Sequence, residues 1–431
     1  MIKILTLIIF LLCLFHDISS GFLYFFLTSS IIFFRRKESL NILLNSFNIV
    51  VFFSLLLTVY SNLSGVDFSF TYLATDQKDF VKRAFDVNNI SIKFFIQNTL
   101  IMASNGAMAF SYFFFGLISI FTNLFTQSVV VLNFQILIAF FTSLVCLEYS
   151  KISYSQKLRN NKLTYYFLIG SPLLFFSTLV LRDVFILYFY LISFRIFLSN
   201  SSLLKKIFVI LLCSLFSYTA RLESGIFLLI LIPFIFFKNK KVVIISTITL
   251  LIFLFFILDF YFSNFQTSDE LMTVVVANKD NRVVGSGLIK SLYSLPIPFN
   301  YIFISLFFLI WPFPFYSLFN SSLDIIPLFY FIFTSYYVFR NMYFISFSKS
   351  YLTKINSKFF NLIIFSIALV FINVLFEVQV RRILPSIAIL FVFASIIYQH
   401  RKNFIKKNND ITIILIYFLF FNLTYTLLKI S

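Results

Sequence analysis

Apolar segments of roughly 14 to 22 residues recur along this chain from one end to the other, separated by short charged connections. A helix rises 1.5 Å per residue, so such segments approach the roughly 30 Å hydrocarbon core of a bilayer, as spanning helices require. Composition agrees: the 431 residues are 60% apolar, 21% aromatic and only 12% charged, with mean hydropathy +0.98. A soluble domain carries about a quarter charged residues. The expected fold is therefore all-α, a polytopic integral membrane protein forming a single transmembrane domain over 1–431, without a soluble domain. Cys13, Cys146 and Cys213 each sit inside an apolar run and there are only two histidines, His16 and His400. That excludes a disulfide framework and a thiolate metal site, and nearly excludes histidine chemistry.

The formal charge of +18 would suggest nucleic acid in a soluble protein. Here its placement matters more. Lys3, Arg35–Lys37, Lys151–Lys162, Arg195–Lys206, Lys238–Lys241, Arg340–Lys358 and Arg401–Lys407 hold 22 of the 34 basic residues. With Glu38, Glu148 and Asp410 they hold 3 of the 16 acids. Short basic connections belong in the cytoplasm. The charge then divides into +19 inside and −1 outside, an orientation signal, so no nucleic-acid partner is expected. The 68 Phe, with many Ile, Leu, Asn and Lys, also resemble the product of an AT-rich bacterial gene.

Threading the chain through these sides gives about 12–13 transmembrane helices. Thirteen follow if residues 2 to 34 form two short helices, and 12 if they form one kinked helix. The N-terminus has the outline of a signal peptide but runs on into further apolar sequence, and a retained helix is expected. Segments 94–147 and 298–340 must each cross an odd number of times. One or two interfacial or re-entrant helices on the outer face resolve this, drawn from 94–105 or part of 106–126, and from 300–314 before Trp311-Pro312-Phe313-Pro314. Outer loops remain at about 61–93 and 263–297. The second, with Gly285-Ser286-Gly287, has the character of a mobile lid.

Three outer turns hold charges that a bilayer protein does not place casually. Arg182-Asp183 lies between apolar runs 163–181 and 184–194. Arg221 and Glu223 repeat the arrangement, and the stretch 207–220 is short enough to sink Arg221 below the outer surface, into an expected aqueous vestibule. Glu377, Arg381 and Arg382 interrupt the runs 359–376 and 383–399. A guanidinium fork suits phosphate or pyrophosphate, and three such turns favour that role over simple neutralisation by neighbouring acids. Arg195 and Lys205, at cytoplasmic helix ends, are ordinary. Among the acids of the first outer loop, Asp67, Asp76, Asp79 and Asp86 include candidates for a general base on a sugar hydroxyl. There is no Walker-type glycine loop, no metal-ligand spacing, no ladder of intramembrane acids and no paired halves of a secondary transporter.

Several of these segments together resemble bacterial O-antigen and capsule repeat-unit polymerases, the Wzy family, related in architecture to GT-C glycosyltransferases. The resemblance rests on Ser171-Pro172 through Ser177 with Leu181-Arg182-Asp183, on Asp76 to Phe80, on Arg221, on Pro296-Ile297-Pro298 with the Trp311 segment, and on Arg381-Arg382-Ile383-Leu384-Pro385. Arg382 stands where such sequences often carry an aromatic, leaving open which arginine acts.

The resemblance implies an inner-membrane glycosyltransferase with its chemistry on the periplasmic or extracellular face. Its substrate would be an undecaprenyl-diphosphate-linked oligosaccharide, with no cofactor and no metal, the lipid bilayer as solvent and a chain-length regulator as a possible partner. Arg182, Arg221 and Arg381 or Arg382 would bind the diphosphate, supported by Asp183 and Glu223. Asp76, Asp79 or Glu377 would act at the acceptor hydroxyl. The rivals are a GT-C transferase using a polyprenyl-phosphate sugar, an O-antigen ligase, disfavoured because loop 263–297 lacks His, and a lipid-linked-oligosaccharide flippase.

Overall fold

The computed structural model describes residues 2–34, 37–64, 109–126, 130–158, 162–237, 239–264, 299–310, 325–346, 355–376, 380–400 and 412–420, with isolated residues 81, 295 and 423. The described residues are helical and form no strand. The chain divides into two compact units, Met1–Pro233 and Phe234–Ser431. Among the described residues, four stretches are long and apolar enough to cross a membrane: Ser39–Tyr60, Val131–Ser155, Leu203–Ala220 and Arg381–Gln399.

The first unit opens with α1 (Ile2–His16) and α2 (Ile18–Phe34). They are two helices folded into a hairpin, which resolves the alternative left by the sequence. The Phe10 and Phe25 rings lie 5.9 Å apart, and Tyr24 Oη donates to the Thr6 carbonyl at 3.4 Å. Asp17 makes the turn by accepting from the Ser19 N–H at 2.8 Å, as a helix N-cap does. Gly21 lets the helices meet, because a Cβ there would stand 2.9 Å from Leu14 Cα.

Four helices follow: α3 (Lys37–Ser64), α4 (Ala109–Asn123), α5 (Val131–Ser155) and α6 (Lys162–Gly170). Next come α7 (Leu173–Thr178), α8 (Asp183–Leu198), α9 (Leu203–Ala220), α10 (Leu222–Leu229) and α11 (Leu231–Phe234), the last reaching the unit boundary. The core sits around α5, 83% of whose membrane-length window is buried, with α3 and α8 against it. The corresponding share for α9 is 33%, and its outer stripe of Leu204, Phe208 and Leu215 is exposed, as expected of a peripheral helix.

Buried amides stitch the N-terminal hairpin to this core. Asn133 donates to Ser19 Oγ at 2.7 Å and Thr122 Oγ1 at 2.8 Å and accepts from Ser20 Oγ at 2.7 Å. Asn48 accepts from Tyr24 Oη at 2.7 Å and donates to Thr6 Oγ1 at 2.9 Å. Satisfying amide and hydroxyl groups away from water avoids their full desolvation cost, and these bonds join segments far apart in sequence.

The Thr122–Asn133 bond, with Phe115 on Phe134 and Phe114 on Phe141, runs α4 antiparallel to α5. Residues 109–123 thus pack along a core helix. Residues 94–105 lie outside the described set. Thr142 Oγ1 donates to Ser177 Oγ, and Gln135 Nε2 to the Thr178 carbonyl, setting α7 beside the first half of α5. Pro172 explains why the apolar run 163–181 is not one helix: Ser171 Oγ caps the Leu173 N–H, and the chain restarts as α7.

The described ion pairs of this unit lie at the two ends of α8. Glu148 pairs with Lys151 at 2.6 Å and Arg195 at 2.5 Å, and Lys206 Nζ donates to the Phe197 carbonyl at 3.1 Å. Asp183 and Arg195 bracket α8, about 18 Å apart along its axis. There Arg195 pins α8 to α5.

The second unit contains α12 (Lys240–Asn264), α13 (Phe299–Ile310), α14 (Ile325–Ser346), α15 (Ser357–Phe376), a 3₁₀ turn at Val380–Ile383, α16 (Leu384–Gln399) and helical residues 412–420. α3 ends at Ser64 and α12 at Asn264, and nearly all of the expected outer loops, 61–93 and 263–297, lies outside the described residues. The 12 described residues of α13 span about 18 Å. Asn361 Nδ2 donates to the Phe234 and Phe237 carbonyls at 3.1 and 2.7 Å. The Arg340 guanidinium lies 4.9 Å from the Tyr398 ring centroid and 5.5 Å from that of Phe344, joining α14 to α16.

Candidate functional site

Two helix corners meet in the first unit. One is Leu179–Arg182, between α7 and α8. The other is a single residue, Arg221, whose extended backbone (φ −161°, ψ 120°) ends α9 and starts α10. Because only one residue separates them, α9 and α10 reverse with almost no loop. Gly225 permits it: a Cβ there would stand 2.7 Å from both the Ser214 carbonyl oxygen and Tyr218 Cα, so any side chain would force the hairpin apart.

The corners hold each other through charge. Arg221 Nη2 lies 2.9 Å from Asp183 Oδ1, and the two side chains are 3% and 2% exposed. Glu223 Oε1 stands 4.0 Å from Arg221 Nε, too far for a hydrogen bond, and is 26% exposed. Arg182 Nη1 donates to the Ala220 carbonyl at 3.0 Å, and Arg182 itself is partly exposed. Arg221 Nε and Ser217 Oγ are buried atoms without a hydrogen-bond partner. Such atoms are uncommon in native interiors.

Two further hydroxyls fasten the first turn of α10. Tyr190 Oη donates to the Ser224 carbonyl and Ser214 Oγ to the Gly225 carbonyl, each at 2.7 Å. Sequence reasoning missed both residues, since one Tyr or Ser within an apolar run has no distinguishing pattern. Only the spacing of Asp183 and Tyr190, seven positions and hence one helix face, hinted at a shared target.

Arg182, Asp183, Arg221 and Glu223 are thus brought together at the two corners of the first unit. The burial of Arg221 differs in kind from the expected vestibule: it is sunken, but enclosed by protein and matched by the carboxylate of α8. Arg381 and Arg382 occupy the 3₁₀ turn of the second unit, both partly exposed, ahead of Pro385 in the first turn of α16. Asp76, Asp79 and Glu377 lie outside the described residues. Among the described residues no three His, Cys, Asp or Glu side chains converge as metal ligands would.

Chemically, the corners offer one accessible guanidinium backed by a second that is permanently charged and fixed in direction. That combination can hold a phosphate oxygen and stabilise charge developing on it. No family model matches this chain, and neither does any curated protein or solved structure.

Proposed function

We propose that the chain is a polytopic protein of the bacterial inner membrane that polymerises undecaprenyl-diphosphate-linked oligosaccharide repeat units at its outer face. The observation that carries the reading is the convergence of Arg182 and Arg221 from two separate hairpins, one partly exposed and the other locked by Asp183. Support for the topology comes from the hydropathy, and from the separation of the Lys151–Arg195 end of the first unit from the Arg182–Arg221 end.

In the proposed reaction a hydroxyl of the acceptor's non-reducing sugar attacks the anomeric carbon of the donor's reducing-end sugar. A C–O bond forms there while the bond from that carbon to the diphosphate oxygen breaks. The hydroxyl proton passes to a carboxylate, for which Asp76, Asp79 or Glu377 is proposed, and undecaprenyl diphosphate departs as an anion. That leaving group needs charge stabilisation more than acid catalysis. Arg182 supplies it by contact and Arg221 from behind, with Arg381 or Arg382 proposed in the same role and Asp183 and Glu223 as supports.

The test replaces each of the four arginines with Ala in the native host and compares surface glycan on a silver-stained gel. Collapse of long chains to single repeats in the Arg182 variant is expected. Undiminished chain length in all four variants would sink the proposal.

A further inference from the structure

We infer that Tyr190 and Ser214 are positioning residues that fix the direction of the Arg221 guanidinium. Arg221 is the only non-helical residue of its corner, so its side chain points wherever the first turn of α10 is held. That turn is gripped from two different helices. Tyr190 on α8 donates to the Ser224 carbonyl and Ser214 on α9 to the Gly225 carbonyl, both at 2.7 Å. These carbonyls lie three and four residues after Arg221, one helical turn from it.

Asp183, one face-sharing step before Tyr190 on α8, takes hold of the guanidinium itself. The three contacts define a position and a direction: two fix the backbone turn, the third the charged head. The arrangement has a purpose beyond stability, because a buried ion pair alone is a weak source of stability and an apolar corner would pack as well. An arginine that must present a fixed dipole to a neighbouring anion does need such a clamp. That the anion is a diphosphate rests on the proposed function; the clamp does not.

The experiment uses full-length protein in phosphatidylethanolamine/phosphatidylglycerol nanodiscs and measures the rate at which phenylglyoxal modifies Arg221 and Arg182, peptide by peptide, by mass spectrometry. In the wild type Arg221 should react far more slowly than Arg182. Tyr190→Phe and Ser214→Ala each remove one hydroxyl and should raise the Arg221 rate about fivefold, the effect of losing one ordinary hydrogen bond. Arg182 should be unaffected.

Thr142→Ala removes an equally buried hydroxyl contact, to Ser177. It controls for a merely structural role and should leave both rates alone. Unchanged Arg221 rates in both clamp variants would overturn the inference, and Ser214→Ala decides alone if Tyr190→Phe gives no folded protein. Binding of undecaprenyl diphosphate to the same samples separates the two proposals. A faster Arg221 with ligand affinity indifferent to Arg182→Ala upholds the clamp and overturns the diphosphate reading; weakened affinity in Arg182→Ala with an unmoved Arg221 does the reverse.

Discussion

Replacing Asp183 with Asn keeps the shape of the corner and removes the charge that Arg221 faces at 2.9 Å. Arg221 is 3% exposed, so its charge cannot turn to water. Breaking such a buried pair costs about 3–5 kcal/mol. Glu223 remains 4.0 Å away and offsets part of this, but it is a quarter exposed and its attraction is screened, so it recovers only about 1 kcal/mol.

The net loss is about 2–4 kcal/mol, which for a unit of 233 residues lowers the apparent melting midpoint by on the order of 5–15 °C. Arg221→Met should cost about as much, because it removes the cation that stands 2.9 Å from the buried Asp183 carboxylate. The double variant Asp183→Leu with Arg221→Met should recover most of the loss, since apolar residues of similar volume replace buried pairs at little cost. The assay is the midpoint for loss of monodisperse protein on fluorescence-detected size exclusion after heating in detergent. A double variant less stable than both singles, or Asp183→Asn indistinguishable from wild type, would refute the reasoning.

Three other outcomes follow from the packing. Gly225→Ala drives a methyl into the Ser214 carbonyl and the Tyr218 backbone, and should destabilise by about 1–3 kcal/mol in the same melting assay. Asn133→Leu strips hydrogen bonds from Ser19, Ser20 and Thr122 and loosens the α1–α2 hairpin; maleimide labelling of Cys13, buried in the native protein, should then accelerate, whereas wild-type Cys13 stays unlabelled. Reporter fusions should place the two ends of the first unit on opposite sides, with green fluorescent protein bright after Lys157 and alkaline phosphatase active after Arg182. The same reporter active at both points would contradict the orientation.

What could be read from the sequence was what a bilayer makes expensive. Arg182 and Arg221 stood out because charges between apolar runs need a reason, and Pro172 marked a helix break by its chemistry alone. Partner choice was not legible. Arg221 has Glu223 two residues away, yet its short contact is with Asp183, and Arg195 finds Glu148 on another helix. Both pairings arise from tertiary packing, which places α8 beside α5 and α9. Tyr190, Ser214 and Gly225 escaped notice for a related reason: their roles exist only where two helices approach closely enough for a hydroxyl to reach a carbonyl, or for a Cβ to collide. The N-terminal hairpin was undecided because residues 2–34 are mostly apolar with no charged connection long enough to mark a turn, and Asp17 with Gly21 set the reversal.

The central claim is tested most directly by incubating purified full-length protein with lipid-linked repeat units extracted from its host, in excess chelator, and quantifying the released lipid against the glycosidic bonds formed. The account predicts one undecaprenyl diphosphate per new bond, with the rate falling about 100-fold or more in Arg182→Ala. Release of a polyprenyl monophosphate, dependence on a divalent metal, or no lengthening at all would contradict it.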